Sequence, residues 1–186
     1  MPTTATKTSS MTPKGGVRKP AARKPGGQST SVGPDAIDQL IADHKEVNTL
    51  FKQFNKLVEA DGGAKEKRTI ALQICVALTA HATAEEELFY PAAREVLGED
   101  GDLVDEADVE HASAKELIAQ IEAGTPDDPL YDAKVKVLGE YIDHHVKEEE
   151  GEMFPRVRKS DLDLDALGEE LAARKTELIG QATQPL

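Results

Sequence analysis

The sequence predicts an all-α protein: an antiparallel up-and-down four-helix bundle with a short extra C-terminal helix and a disordered N-terminal tail. Three observations predict it. Apolar residues recur every three or four positions from Pro34 onward, no stretch shows β-type alternation, and glycine- or proline-containing breaks cut the periodic text into segments with short connections. Short connections make consecutive helices antiparallel neighbours. At 186 residues and 39% hydrophobic content, the chain can bury one moderate core, which sets the working count at one domain.

Residues 1–33 are rich in Thr, Ser, Pro and Gly and carry Lys7, Lys14, Arg18, Lys19, Arg23 and Lys24 without an acidic residue. So few large apolar side chains cannot offset the entropy of ordering the backbone, and the expectation is a disordered basic tail. Taking these six charges from the net −13 leaves a body near −19. Such a body repels nucleic acid and anionic membrane, so any contact of that kind falls to the tail, whose Lys-Pro and Arg-Lys-Pro pieces also suit a plain solubilising role.

The bundle is expected over 34–158. Gly33-Pro34-Asp35 signals the start of a first helix with Ile37, Leu40, Ile41, Val47, Phe51, Phe54 and Val58 on one stripe, ended by Asp61-Gly62-Gly63. A second helix runs from about Ala64 to Leu97 with Ile70, Ile74, Leu78 and Leu88 inward; Pro91 disturbs it and Gly98 stops it. A third runs from about Leu103 to Ala123, ended by Gly124-Thr125-Pro126. The fourth, about Leu130 to Glu150, turns Leu130, Val137, Leu138 and Tyr141 inward and closes at Gly151 and Pro155. Residues 159–186 supply the extra helix, with Leu164, Leu167, Leu171 and Leu178 at helical spacing and no evident chemistry.

No apolar run approaches the roughly 20 residues that span a bilayer, and the N-terminus lacks the apolar centre of a secretory signal, so the expected location is cytoplasmic with no membrane partner. The single cysteine, Cys75, sits among Ile74, Val76 and Leu78 and reads as a buried, inert thiol.

Two halves of the chain match at spaced positions. Asp43-His44 followed by Leu50 parallels Glu110-His111 followed by Leu117; His81 with Glu85 and Pro91 parallels His145 with Glu149 and Pro155. Each half is a helical hairpin with one His on its first helix and His-x-x-x-Glu on its second. Residues four apart share a helix face, so each His/Glu pair can reach one ion. His44 lies on the Leu40/Val47 stripe, His81 follows Ile74 and Leu78, His111 goes with Val104 and Ile118, and His145 follows Leu138 and Tyr141. Burying these imidazoles and carboxylates without partners costs several kcal/mol each, a penalty that a metal removes.

Four imidazoles and two carboxylates are too many for one tetrahedral zinc, and no cysteine stands among them. The set suits two octahedral-type ions: Glu85 and Glu149 bridge them, His44 and His81 cap one by symmetry, and His111 and His145 cap the other. Positions remain for an oxo or hydroxo bridge and small ligands. Mixed nitrogen and oxygen ligation favours iron over manganese. His144 and Glu148 also stand four apart, but the proline ten residues on selects His145 and Glu149. Glu86, Glu87, Glu148, Glu150 and Glu152 read as a solvated acidic rim; Phe89, Tyr90, Met153 and Phe154 read as the seal at one end of the bundle.

The order His, His-x-x-x-Glu, His, His-x-x-x-Glu over about residues 35–158 resembles the hemerythrin-like (HHE cation-binding) domain family. The resemblance implies an antiparallel four-helix bundle with a non-heme diiron centre that reacts with dioxygen, peroxide or nitric oxide. It also implies His44, His81, Glu85, His111, His145 and Glu149 as ligands. Oxygen-carrying members have a fifth histidine where this chain has Lys115, and an Asp where it has Glu150. Fewer nitrogen ligands favour redox chemistry or sensing over oxygen carriage, with a tyrosine as one candidate for the missing donor. The leading expectation is a peroxide-consuming, catalase-like redox protein. The alternatives are a non-enzymatic module that binds or senses oxygen, nitric oxide or iron, and a helical interaction protein with structural histidines.

Overall fold

The structure, a computed structural model, describes residues 33–182. All but the last residue of the expected basic tail lies outside the described residues.

Helix α1 (Ala36–Glu59) starts where Asp35 accepts the Asp38 N–H at 2.8 Å, the N-cap that the Gly33-Pro34-Asp35 signal predicts. It ends at a turn in which Asp61 adopts a positive φ of 51° and Gly62 N–H bonds back to Leu57 O. Helix α2 (Ala64–Ala84) passes into one π-helical turn over Glu85–Phe89 and continues as α3 (Tyr90–Leu97). Gly98, at φ 58°, stops it. Helix α4 (Asp102–Ala123) and helix α5 (Tyr131–Glu148) form the second hairpin, which repeats the π-turn at Glu149–Met153 before α6 (Phe154–Val157). Helix α7 (Leu164–Ala182) completes the described chain. None of the described residues is in a strand, and none of the helices is long and apolar enough to cross a membrane.

The disturbance expected at Pro91 appears upstream of it, with a clear cause. Proline lacks an N–H, and its ring collides with the carbonyl four residues back, so the ladder widens by one residue before it. The N–H of Tyr90 accordingly donates to Glu85 O, five residues back, and that of Phe154 to Glu149 O ahead of Pro155.

Helices α1, α2, α4 and α5 form the bundle, with α1 against α2 and α5, and α4 against α2 and α5; α7 packs across α1 and α2. Two apolar clusters fill the interior. One gathers Ile37, Leu40, Phe89, Val104, Phe154 and Leu171, the other Val47, Phe54, Ile74, Leu78, Ile121 and Leu138. Each histidine of the repeat falls between residues of the two clusters along its own helix, as His44 does between Leu40 and Val47, so the polar residues form one layer across the middle.

Two stripes differ from the sequence reading. At the start of and along α5, Leu130, Val137 and Tyr141 are exposed, and of the predicted set only Leu138 is buried. The inward stripe is Tyr131, Val135, Leu138, His145, spaced four, three and seven; Val137 lies one residue, about 100°, from Leu138, and Tyr141 falls at the edge of the stripe, about 60° from Leu138. Val58, in the last turn of α1, is likewise exposed. Cys75 is fully buried, and burial pushes its thiol up to about 12.

Candidate metal centre

His44, His81, His111, His145, Glu85 and Glu149 are the buried polar residues of the described chain. The fold brings all six sequence-predicted residues into the layer between the two apolar clusters. Their Nε2 atoms face in pairs: His44 to His81 at 3.2 Å, and His111 to His145 at 3.1 Å. The carboxylates lie across the pairs. Glu149 Oε2 is 3.3 Å from His44 Nε2 and 3.4 Å from His145 Nε2, while Glu85 Oε2 is 3.0 Å from His81 Nε2 and 3.5 Å from His111 Nε2. Each glutamate therefore touches one histidine of each pair. The first residue of each π-turn is one of these glutamates, so the widened turn sets its side chain into the layer.

An outer carboxylate holds every ring from behind. Nδ1 of His44 lies 2.9 Å from Glu150, of His81 3.1 Å from Asp43, of His111 3.0 Å from Glu86, and of His145 2.7 Å from Glu110. With Nδ1–H donating outward, Nε2 is left to face the layer, the arrangement that orients histidine as a metal ligand. Asp43 and Glu110 precede the first histidine of each half; Glu86 and Glu150 follow the glutamate of each half. The sequence reading missed these roles and placed Glu86 and Glu150 in a solvated rim. The signal was present as the repeated acidic neighbours Asp43-His44, Glu110-His111, Glu85-Glu86 and Glu149-Glu150.

The donor set fits a pair of cations. Glu85 Oε1 and Oε2 and Glu149 Oε2 are buried without a hydrogen-bond partner, although Glu85 Oε2 is 3.0 Å from His81 Nε2: close, but not aligned as a hydrogen bond. Unpartnered buried carboxylates are costly, and donors that approach one another without bonding suit a shared ion. His44, His81, Glu85 and Glu149 each offer one atom within 4.8 Å of the others, and so do Glu85, His111 and His145.

Tyr90 stands at the smaller group. Its hydroxyl donates to Glu149 Oε1 at 3.0 Å and lies 3.2 Å from His111 Nε2. Burial, then the charges of Glu85 and Glu149, holds its pKa well above the ordinary value, so the proton stays on in the metal-free chain. Lys115, where the resemblance noted in the sequence would place a fifth histidine, binds both oxygens of Glu86, at 2.6 and 2.5 Å. Phe154 stacks on His44 with ring centroids 5.9 Å apart and meets Phe89 edge-on, closing that side with apolar surface. His144 is exposed and pairs with Glu110 and Glu148 outside the layer.

Burial works against protonation of His81, but the Glu85 charge and the Asp43 hydrogen bond outweigh it and raise its pKa to about 10. His145 is raised for the same reason by Glu149 and Glu110. Burial and the His145 charge push His111 down to about 3. Burial and the Glu149 charge raise Glu85; Glu149 itself, despite burial, is lowered to about 2 by His145 and His44.

A cavity of about 20 Å³ borders all four histidines and is walled by Val47, Leu78, Ala114, Ile118, Ile142 and Val146. That is room for a molecule the size of water, dioxygen or peroxide. A groove of about 420 Å³ on the surface between α1 and α5 shares His44, Ile142 and Val146 with it.

Comparison with known proteins agrees with this architecture. The sequence model of the hemerythrin HHE cation binding domain matches residues 35–157. The chain is 34% identical over 139 residues to a DNA nickase of Nostoc sp. (strain PCC 7120), covering 72% of this chain and 38% of that protein. It is 26% identical over 149 residues to an uncharacterized protein of Mycobacterium tuberculosis, covering 78% of this chain and 88% of that one. The crystal structure of a hemerythrin HHE cation binding domain-containing protein from Mycobacterium kansasii superposes with a TM-score of 0.66 at 22% identity, covering 80% and 90% of the two chains. This last likeness concerns the fold.

Proposed function

Because the chain belongs to the hemerythrin HHE cation-binding family, we propose that its buried layer holds two non-heme iron ions and that the protein consumes peroxide in a catalase-like reaction. The observation that carries the reading is the set of four Nε2 atoms, each turned inward by an outer carboxylate, around two carboxylates with unpartnered buried oxygens. In the proposed arrangement His44 and His81 hold one ion, His111 and His145 the other, and Glu85 and Glu149 span both. The Tyr90 hydroxyl supplies an oxygen donor beside the second group, which has three donors to the first group's four. Nitrogen and carboxylate donors together favour iron.

Bound at these residues, iron would act as the relay for the two electrons that a peroxide oxidised to dioxygen gives up and a second peroxide, reduced to two waters, takes. The chain's own residues fix the conditions. The 20 Å³ cavity admits a peroxide and excludes larger oxidants, and its apolar wall keeps bulk water from the layer. Phe89, Met153 and Phe154 close the opposite side. The Tyr90 O–H donates to Glu149 Oε1 at 3.0 Å, where it can stabilise negative charge on that carboxylate. The acidic body argues for a small-molecule substrate over nucleic acid, and a cytoplasmic setting fits the single free thiol.

One observation favours a second reading. Apart from the histidines, the cavity is lined by only two polar side chains, Asp43 and Lys115, so a dioxygen or nitric oxide molecule could be held there without being turned over. Adding peroxide to the iron-loaded chain under an oxygen electrode separates the two. Release of one dioxygen for every two peroxides consumed is expected; an iron-loaded chain that leaves peroxide intact and binds nitric oxide reversibly would replace the enzyme by the sensing module.

A further inference from the structure

Helix α7 lies outside residues 35–157, which carry the family match, and the sequence shows no chemistry in it. In the structure it reaches the layer. Lys175 Nζ stands 2.5 Å from both oxygens of Asp43, the carboxylate that holds His81 Nδ1 at 3.1 Å. Both side chains are largely buried, 17% and 18% exposed. The preceding residue, Arg174, forks onto Glu87 at 2.6 and 3.0 Å, inside the π-turn between Glu85 and Tyr90. The helix is held in this register by buried Leu167 and Leu171 and by Gly168, where an added Cβ would meet Ala36 N at 2.9 Å and Gln39 Nε2 at 2.8 Å.

The other half of the bundle contains the same device from a different source. Lys115, Glu86 and His111 form a lysine, carboxylate, histidine relay behind the second facing pair. Among the described residues, each pair thus has one ring whose outer carboxylate is neutralised by an ammonium, and one whose carboxylate, Glu150 or Glu110, meets no lysine, Glu110 pairing instead with His144. A carboxylate that shares its charge with an ammonium is a weaker acceptor, so the imidazole it holds donates less electron density inward.

We propose that Lys175 is a positioning residue through which α7 acts on the centre: by neutralising Asp43 it limits the donor strength of His81, as Lys115 does for His111 through Glu86. The proposal rests on the metal-centre reading for its redox consequence but not for the hydrogen bond itself. Burial, opposed and outweighed by His81 and Lys175, leaves Asp43 below the usual carboxylate range, in keeping with a carboxylate held ionised between the two.

The test uses the full chain with Lys175→Met and Lys175→Arg. In the metal-free protein, nitrogen-15 and proton NMR follow the His81 and His145 Nδ1–H signals; in the iron-loaded protein, spectroelectrochemistry follows the midpoint potential. In Lys175→Met the His81 proton should move downfield while that of His145 stays, and the potential should fall, because a stronger His81 donor favours ferric iron. Lys175→Arg should restore both. An unmoved His81 proton, or an unchanged potential in a variant that merely melts earlier, overturns the proposal. A wild-type chain that takes up no iron would remove the proposed function, and the His81 signal would still decide whether Lys175 acts through Asp43.

Discussion

His111 Nε2 faces His145 Nε2 at 3.1 Å while Glu86 and Glu110 hold the two rings from behind through Nδ1. Two imidazole nitrogens at this distance must share a proton or an ion, since two lone pairs repel. In the metal-free chain a proton serves, supplied by His145, whose pKa is raised, to His111, whose pKa is pushed down to about 3. The His44 and His81 pair repeats the arrangement at 3.2 Å.

Metal uptake should therefore release protons. His81 is raised to about 10, so at neutral pH it carries a proton that an ion must displace, and His145 is shifted in the same direction. Apparent affinity for ferrous iron should rise with pH through the neutral range, which calorimetry in buffers of differing ionisation enthalpy would measure as proton release. The stability of the metal-free chain runs the other way. The His81 contribution is complete below the unfolded value near 6.5 and is lost as pH climbs toward about 10. The Glu149 contribution is present above 4.5 and is lost as pH falls toward about 2.

Glu85→Gln should separate a metal ligand from a structural residue. Glu85 is buried beside His81 and its charge supports the proton there, so neutralising it should cost the metal-free chain some stability. The same change should abolish most of the stabilisation that iron gives, about 2.7 kcal/mol at a hundredfold excess over Kd. Melting curves with and without ferrous iron measure both effects. A wild-type melting point that iron does not raise would contradict the assignment, and His81→Ala should lose iron in the same assay.

Tyr90→Phe should act on one ion more than the other. The His111 and His145 group has three convergent donors without the tyrosine, the His44 and His81 group four. Under a chelator the variant should fall to one iron per chain while wild type retains two. Equal loss of both irons would show that the hydroxyl serves only as the hydrogen-bond donor to Glu149.

Val146→Phe should slow ligand access without removing metal, because Val146 lines both the surface groove and the inner cavity. Stopped-flow binding of azide or nitric oxide should slow by roughly tenfold, a barrier of about 1.4 kcal/mol. Unaltered rates would place the path elsewhere in the bundle.

The helices, the antiparallel hairpins and the six-residue constellation were legible because they depend on period and repeat. His44, His81, His111 and His145 recur at matching offsets, and Pro91 and Pro155 mark equivalent turns. What was not legible depends on pairing between distant segments. Glu86 and Glu150 look like surface charges until the neighbouring helix brings His111 and His44 against them. Lys175 is 132 residues from Asp43, and α7 shows only a leucine stripe. The α5 stripe was misread because Val137 and Tyr141 are apolar at helical spacing, and only the approach of α4 and α1 reveals that the core face centres on Tyr131, Val135 and Leu138.

The most direct test of the central claim is iron per chain in the purified protein after anaerobic incubation with ferrous iron, with the visible spectrum taken on admitting air. The account predicts two irons per chain and the absorption of an oxo-bridged ferric pair. A folded chain that retains no iron would contradict it and leave the four histidines as structural residues.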